Sequence, residues 1–352
     1  MRAEAERTLM RGTVIPAHPL VITPDGSLDE RRQTALTRYY LDAGAGGLAV
    51  GVHTTQFAVR EAGLLPAVLA LAADTARERK PLMVAGVAGS TRDAVDEAEL
   101  AELLGYDMAL VILRGLDNWD ETRLLEHCRA IGEVLPLCGF YLQPAVGGRA
   151  LSVDFWRSLA ELPALRAVKI APFDRYRTLD VVRGICQSGR ESEVALYTGN
   201  DDNIVADLLT TFEVDVGGAK VRKRIVGGLL GQTAVWTRTA VALHDRIRQA
   251  LETGRIDAEL LTLGAQLTDA NAAVFDVAGH FAGSVAGIHE VLRRQGLLDE
   301  VRLLDPLETL SPGQSGELDR VMAAYPHLTD DAFVAEHRAR WLRGRPVEGA
   351  HL

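Results

Sequence analysis

Residues 137–172 of the chain have the sequence LCGFYLQPAVGGRALSVDFWRSLAELPALRAVKIAP. Two apolar runs, 137–143 and 164–170, flank a segment with helical periodicity, 152–162, whose first residue is a serine. Serine is favoured at the N-cap of a helix. Strands that are apolar on both faces are typical of buried parallel sheets. The stretch therefore predicts a strand, a helix and a second strand parallel to the first.

The same strand–helix unit recurs along the first 220 residues. The predicted strands are 13–20, 47–52, 82–87, 108–113, 137–143, 164–170, 194–198 and 214–217. The predicted helices are 27–42, 59–79, 90–104, 119–134, 152–162, 174–187 and 201–211. Eight evenly spaced units are typical of the α/β fold called a (β/α)8 or TIM barrel. A doubly wound sheet is the alternative, but the even spacing favours the closed barrel.

The strand pattern stops at residue 227. The segments that follow with helical periodicity are 234–253, 258–277, 283–295 and 316–324. We therefore expect a barrel core over 1–226. Over 227–352 we expect the last barrel helix and then a C-terminal helical extension, which covers barrel helices or forms a subunit interface.

The composition excludes several classes of protein. A net charge of −10 argues against a nucleic-acid partner, since such a protein needs a basic face. The longest apolar runs are far shorter than the roughly 20 residues of a membrane span, and the N-terminus lacks the apolar core of a signal peptide. Three cysteines with no CxxC pair fit a reducing compartment. We expect a cytoplasmic protein without membrane contact.

Two glycine-rich or basic motifs carry weaker signals. Residues 44–49 match a loose GxGxxA pattern, but they end a predicted helix and begin a strand, the reverse of a dinucleotide site. The basic run 220–224 is expected in a solvated loop after the eighth strand, on the catalytic face of the barrel. A sugar-acid or phosphate contact is the alternative for that run.

Lys169 is the strongest chemical signal in the sequence. Only four of the 38 basic residues are lysines, yet Lys169 lies in an apolar predicted strand, on the same face as Leu165 and Ala167. Barrel active sites lie at the carboxyl ends of the strands, and burial lowers the pKa of an amine. A neutral amine there forms a Schiff base with a ketone. A lysine that reaches solvent or pairs with an acid is the alternative.

Tyr141 lies in the preceding predicted strand, on the same face as Leu137, Gly139 and Gln143. We expect its ring to point into the barrel beside Lys169, with room below it at Gly139. A phenol next to an amine moves protons during imine chemistry. A packed, hydrogen-bonded core tyrosine is the alternative.

These two residues resemble the active-site pair of the dihydrodipicolinate synthase / N-acetylneuraminate lyase superfamily. The family has a tyrosine, a proline three positions later and then a glycine, which match Tyr141, Pro144 and Gly148. Its Schiff-base lysine, at the end of strand six, matches Lys169.

The resemblance extends over residues from about 12 to about 300. The segment 19–29 is similar to the family's first strand and turn, and 197–201, which contains Gly199, is similar to its turn after strand seven. The resemblance implies a (β/α)8 barrel, imine chemistry without a cofactor or metal, and a homo-oligomer, either a dimer or a tetramer.

The family's GTTGE turn after strand two corresponds here to residues 52–56, of sequence VHTTQ. His53 and Thr54 take the two threonine places, and a shift by one position would use Thr54 and Thr55 instead. The resemblance implies that these residues bind the carboxylate of a keto acid or relay protons.

Two further family features are altered. The Pro-Tyr-Tyr motif after strand four is replaced by residues 113–116, of sequence LRGL. The arginine that binds the distal semialdehyde in the synthases has only a displaced counterpart, Arg149. Both changes argue against the synthase activity and favour another substrate.

The sequence therefore predicts a class I lyase, aldolase or dehydratase whose small-molecule substrate is pyruvate or another 2-keto acid, including a sugar acid. Lys169 would be the nucleophile and Tyr141 would move protons. Two other functions stay open: a metal-dependent lyase that uses His18 and His53, and a non-catalytic barrel that binds a sugar acid.

Overall fold

Strands and helices alternate through residues 1–343, the part of the chain that the computed structural model describes. The strands are β1 (Val14–Pro16), β2 (Gly47–Val50), β3 (Leu82–Val87), β4 (Met108–Val111), β5 (Leu137–Leu142), β6 (Leu165–Ala171), β7 (Ala195–Thr198), β8 (Thr211–Val216) and β9 (Ala219–Leu230). The helices are α1 (Ala3–Arg11), α2 (Glu30–Ala43), α3 (Leu65–Ala76), α4 (Thr91–Leu103), α5 (Glu121–Gly132), α6 (Val153–Ala160), α7 (Arg175–Gln187), α8 (Ile204–Leu209), α9 (Thr237–Thr253), α10 (Glu259–Val274), α11 (Ser284–Arg294), α12 (Gln314–Ala324) and α13 (Asp331–Trp341).

Capping side chains set where four of the barrel helices begin. Ser90, Asp120, Ser152 and Asp174 precede α4, α5, α6 and α7, and each side chain accepts a hydrogen bond from a backbone N–H of the first turn. Such a bond satisfies one of the donors that a helix leaves unpaired at its start, and it contributes about 1 kcal/mol. The predicted starts of α4, α5, α6 and α7 are therefore close to the observed ones, whereas α3 begins at Leu65 and not at the predicted residue 59.

Eight parallel strands close into a barrel in the order β1-β9-β7-β6-β5-β4-β3-β2. The two ends of this order meet where Ala17 bridges Ala49, and the backbone N–H of His18 donates to the carbonyl of Ala49 over 2.8 Å. The predicted fold, a (β/α)8 barrel with a C-terminal helical extension, is confirmed.

Apolar side chains form two layers. One fills the barrel interior and includes Leu110, Phe140 and Leu229; the other lies between the strands and the surrounding helices. Helix α1 closes the amino end of the barrel, where Leu9 joins the interior layer. The carboxyl end of the barrel is the end that α1 leaves uncovered.

The eighth barrel strand differs from the prediction. Residues 214–217 belong largely to β8, which pairs antiparallel with β9, while β9 itself completes the barrel and runs past the expected boundary at residue 226. The basic run 220–224 lies in the amino half of β9, at the end of the barrel opposite to the catalytic face. Lys220 and Arg222 lie 3.5 and 3.7 Å from the carboxylate of Glu213 on β8. Cross-strand ion pairs thus explain charges that the prediction assigned to a loop.

The C-terminal helices continue the outer layer. Helix α10 packs on α8 and α12, and α13 packs on α2. Within residues 1–343, no helix combines the length and the apolar character needed to cross a membrane.

Candidate active site

Lys169 points into the barrel from β6. Its neighbours on the same face, Ala167 and Ala171, belong to the interior layer, and Lys169 is only 6% exposed. Its Nζ atom lies 4.4 Å from the centroid of the Phe140 ring on β5. Burial lowers the pKa of the amine from its ordinary value of 10.5, because the charged form loses its hydration. The predicted inward orientation of Lys169 is confirmed.

Gly199, directly after β7, makes room for the lysine. A Cβ atom at this position would lie 2.7 Å from Cε of Lys169 and 2.8 Å from Cβ of Ala171. Its backbone N–H donates to the carbonyl of Ile170 over 2.7 Å. Gly199 therefore lies against the nucleophile, and it also lines the cleft, so its predicted place beside the substrate stays a prediction.

Asp201 lies in the same cleft as Lys169, on the turn after β7. Thr198 and Asn200 hold this turn by donating to Asp207 over 2.6 and 3.0 Å. The Oδ1 atom of Asp201 accepts from the backbone N–H of Gln232 over 2.9 Å. No hydrogen-bond donor to Oδ2 is found in residues 1–343.

The two ionisable groups influence each other. Burial raises the pKa of the Asp201 carboxyl, and the positive charge of Lys169 opposes that rise. Conversely, the charge of Asp201 raises the pKa of Lys169 against the larger effect of burial. The pKa of the amine is thus lowered and that of the carboxyl is raised, which brings both groups toward the range in which acid–base catalysis operates.

The turn after β2 brings two of its three predicted residues to the cleft. His53 and Thr54 line it, and the Thr54 hydroxyl is buried without a hydrogen-bond partner in the described residues. The His53 ring stacks on Phe57 with centroids 5.4 Å apart. Its pKa is lowered to about 4, mainly by burial and further by the charges of Lys169 and Arg114, so the ring is neutral at pH 7.

The side chains of Thr55 and His18 form hydrogen bonds to other groups of the protein and do not line the cleft. The Thr55 hydroxyl donates to the carbonyl of His18 over 2.7 Å and accepts from the backbone N–H of Gly51 over 3.0 Å. The His18 ring is fully buried outside the cleft, with Nε2 at 2.8 Å from the hydroxyl of Thr37. The prediction that Thr55 binds substrate is not supported, because its hydroxyl is used to hold the turn.

The predicted inward orientation of Tyr141 is wrong. Its ring packs on Trp156 of α6, with centroids 5.2 Å apart, and its Oη accepts from the backbone N–H of Leu151 over 3.4 Å. Phe140 pairs in register with Lys169 instead. The gap at Gly139 opens toward the helices, because a Cβ atom there would lie 3.1 Å from Leu159.

Arg149 is also directed away from the cleft. Its Nη1 atom donates to the carbonyls of Leu116 and Trp119 over 3.1 and 2.7 Å. These bonds tie the loop after β5 to the loop after β4. A substrate-binding role for Arg149 is therefore not supported by its position.

The extension supplies a roof over the cleft. In the described residues, α10 and α11 with the turn between them contribute Phe275, Phe281, Ser284, Val285 and Ile288 to its lining. The strand ends contribute, among others, Phe140, Gln143 and Phe173. The cleft encloses about 600 Å³, including its open mouth.

Sequence reasoning missed Asp201, Arg114 and the roof. Asp201 lay inside the quoted segment 197–201, and its acidic side chain after a barrel strand was an available signal. Arg114 lies with its guanidinium 5.0 Å from the centroid of the Phe57 ring, and no carboxylate of the described residues is within ion-pair distance of it. The roof residues come from a distant part of the chain, so their position depends on tertiary packing.

Known proteins share both the sequence pattern and the fold. Residues 11–324 match the sequence model of the dihydrodipicolinate synthetase family. The chain belongs to this family. A 4-hydroxy-tetrahydrodipicolinate synthase of Cyanothece sp. (strain PCC 7425) is 27% identical over 305 residues, which are 83% of this chain and 99% of that relative.

A second family member is an N-acetylneuraminate lyase of Citrobacter koseri, 25% identical over 56% of this chain and 67% of the lyase. Some other curated relatives are likewise matched over only about two thirds of their length. Among solved structures, a prophage protein of the dihydrodipicolinic acid synthase family from E. coli K12, in complex with pyruvate, has a TM-score of 0.74 at 19% identity. It covers 91% of this chain and 99% of its own, and this likeness establishes the fold alone. The family is thus one of aldolases and lyases on a shared barrel.

Proposed function

We propose that this chain is a class I, imine-forming lyase or aldolase whose substrate is pyruvate or another 2-keto acid. The observation that carries the proposal is the buried amine of Lys169, with its lowered pKa, at the carboxyl end of a barrel strand and inside a cleft. A non-catalytic binding protein has little use for a desolvated amine, since burying it is unfavourable.

The reaction begins with attack of the neutral Lys169 amine on the keto carbon. The carbinolamine that forms loses its hydroxyl as water and leaves an iminium. The iminium withdraws electrons from the neighbouring carbon, so a proton or a carbon substituent leaves and an enamine forms. Reversal of these steps joins the enamine carbon to an aldehyde, and loss of a hydroxyl from a deoxy-keto acid uses the same intermediate.

Asp201, rather than Tyr141, is the acid–base group of this proposal. Asp201 lines the cleft that holds Lys169, its Oδ2 accepts no hydrogen bond from the described residues, and burial raises the pKa of its carboxyl toward neutrality. As a carboxylate it takes a proton from the ammonium of Lys169. As an acid it returns that proton to the carbinolamine hydroxyl, which then leaves as water.

His53 and Thr54 are the proposed partners of the substrate carboxylate. The Thr54 hydroxyl is buried without a partner in the described part of the chain, so an incoming carboxylate would satisfy it. A neutral His53 donates one N–H without requiring a second buried charge. The unpaired Arg114 guanidinium beside Phe57 attracts an anion toward this side of the cleft.

We further propose that the product is not dihydrodipicolinate. Phe140 and Leu142 occupy the inward positions of β5, and no tyrosine lines the cleft in residues 1–343. Several of the relatives reported above carry the synthase name, so this exclusion depends on the cleft alone.

Assembly into a dimer or tetramer and a cytoplasmic location remain predictions, and light scattering of the purified protein tests the first.

Exchange of the methyl hydrogens of pyruvate in deuterium oxide tests the proposal, because an enamine exchanges them. NMR should detect exchange with the wild-type chain and with Lys80→Ala, a control that removes an exposed lysine. Exchange should be lost in Lys169→Ala and unchanged by EDTA. Exchange that needs a metal ion, or that survives in Lys169→Ala, would refute the imine mechanism.

A further inference from the structure

Phenylalanines are concentrated at the candidate active site. The whole chain has eight phenylalanines, and aromatic residues make up only 5% of it. Four of the eight, Phe140, Phe173, Phe275 and Phe281, line the cleft above and beside Lys169. A protein with so few aromatic residues therefore places half of its phenylalanines around one small volume.

Two of these rings lie at the mouth. Phe173 follows β6 and Phe281 precedes α11, and their rings meet edge to face with centroids 5.8 Å apart. Both side chains are partly exposed. Their backbones have φ values of +54° and +67°, a region that bulky residues rarely adopt. Strain of this kind clusters at ligand sites, and here it holds two apolar rings where solvent still reaches them.

The roof is held in place by a polar support behind it. Asp276, also at positive φ, accepts hydrogen bonds from the backbone N–H of Gly283 over 3.0 Å and from the hydroxyl of Ser311 over 2.5 Å. The side-chain amide of Gln314 donates to the carbonyls of Gly283 and Val274 over 3.0 and 3.2 Å. The apolar surface over the cleft is therefore preformed.

Few polar side chains line the cleft. His53, Thr54 and Asp201 are already needed for the keto-acid carboxylate and for proton transfer. In the described residues, Gln143 after β5 and Ser284 in the roof are the polar side chains left for a second substrate, among apolar neighbours such as Val285. A sugar carries several hydroxyl groups, each of which loses hydration on binding and needs a partner. An aromatic or branched aliphatic chain needs only apolar contact.

We propose that the roofed half of the cleft binds the apolar side chain of an aldehyde, aromatic or branched aliphatic, and that such an aldehyde is the second substrate of the reaction. This inference rests on the proposed function. The enamine carbon of the Lys169–pyruvate adduct bonds to the aldehyde carbon, and the aldehyde oxygen takes a proton. Water then hydrolyses the iminium, which frees the amine and releases a 4-hydroxy-2-oxo acid. Cleavage of that acid is the same sequence in reverse.

Condensation of pyruvate with benzaldehyde and with glyceraldehyde tests the inference, with chromatographic and mass-spectrometric measurement of each product. We expect kcat/KM for benzaldehyde to exceed that for glyceraldehyde by at least about tenfold, the discrimination that an apolar pocket provides. Phe281→Ala should lower the ratio of the benzaldehyde value to the glyceraldehyde value about tenfold. Phe212→Ala, which removes a phenylalanine from the β8 hairpin outside the cleft, should change neither value.

Phe281→Leu is a second variant, in case Phe281→Ala does not fold, because it keeps an apolar side chain in the roof. It should unfold in urea at close to the wild-type midpoint while losing part of its preference for benzaldehyde. Failure of the wild-type chain to exchange pyruvate hydrogens would overturn the proposed function itself. Normal exchange together with equal or better use of glyceraldehyde, or with no use of benzaldehyde, would overturn this inference and leave the imine chemistry intact.

Discussion

The Nζ atom of Lys169 lies over the Phe140 ring, 4.4 Å from its centroid. The residue beside the amine on β5 is thus an aromatic hydrocarbon and not a phenol. A ring face favours a cation by about 1 kcal/mol, whereas burial disfavours it more strongly, so the net pKa of the amine is lowered. Proton transfers at this amine must be carried out by other groups of the cleft.

The lowered pKa of Lys169 predicts how imine formation depends on pH. Only the neutral amine attacks the ketone, and its fraction rises with pH through the pKa of Lys169. Because that pKa lies below the ordinary 10.5, the rate should rise with pH and level off before pH 10.5 is reached. Initial rates of pyruvate hydrogen exchange across this range measure it. A rate that still increases at pH 10.5 would contradict a depressed pKa.

Replacement of Asp201 by asparagine should slow imine formation about 100-fold or more, since general acid–base groups contribute about 10²–10⁴ in rate. The plateau of the pH profile should also move to lower pH, because the Asp201 charge that raises the pKa of Lys169 is removed. Asp202→Asn is the matched control on the same turn, since Asp202 does not line the cleft. Equal effects of the two variants would argue for a structural role of the turn only.

Replacement of Tyr141 by phenylalanine should leave turnover within about threefold of wild type, because the hydroxyl lies outside the barrel. The variant loses one hydrogen bond, from the backbone N–H of Leu151, and should lose about 0.5–1.5 kcal/mol of the free energy of unfolding. Steady-state kinetics and urea unfolding measure the two effects. A 100-fold loss of kcat would instead assign the phenol a part in catalysis.

Thr54 and Thr55 should respond differently to valine. Thr54→Val should raise KM for pyruvate about tenfold with little change in stability, because it removes a hydroxyl without a partner in the described residues. Thr55→Val should lower stability by about 1–3 kcal/mol, since three backbone groups, at Gly51, Val52 and His18, lose their shared partner. If instead Thr55→Val raised KM without lowering stability, the alternative alignment of the turn, in which Thr54 and Thr55 both bind the carboxylate, would be favoured.

Gly199→Ala should slow hydrogen exchange into pyruvate at least about tenfold, because the added Cβ atom would lie 2.7 Å from Cε of Lys169 and would displace the nucleophile. Gly316→Ala is the control. A Cβ atom at Gly316 in α12 meets nothing within 4 Å, and alanine there should be neutral or slightly stabilising. An unaffected rate in Gly199→Ala would show that the Lys169 side chain reaches the ketone in another conformation.

The sequence alone predicts the barrel and the inward position of Lys169, because the signals for both lie in short segments of the chain. Buried parallel strands are apolar on both faces, and the caps at Ser90, Ser152 and Asp174 mark helix starts directly. The same uniform apolarity does not indicate which face of β5 points inward. The family motif and the small side chain at Gly139 both favour Tyr141, but Phe140 has the inward place and α6 fills the gap at Gly139.

Other errors came from contacts between distant parts of the chain. The alternating charges at Lys220 and Arg222 pair across a hairpin with Glu213, and this pairing cannot be inferred from a basic run alone. The aromatic roof depends on the packing of the extension over the barrel mouth. Asp201 was visible in the sequence, but its importance follows from sharing one buried cleft with Lys169.

The proposed chemistry requires Lys169 to form an imine with a 2-keto acid. Incubation with pyruvate and sodium borohydride, followed by intact-mass measurement and peptide mapping, detects this imine as a stable amine. We expect one reduced pyruvate adduct, on the peptide that contains Lys169, in the wild-type chain and in Lys80→Ala, and none in Lys169→Ala. No adduct with pyruvate or with a panel of larger keto acids, or an adduct on any other lysine, would contradict it.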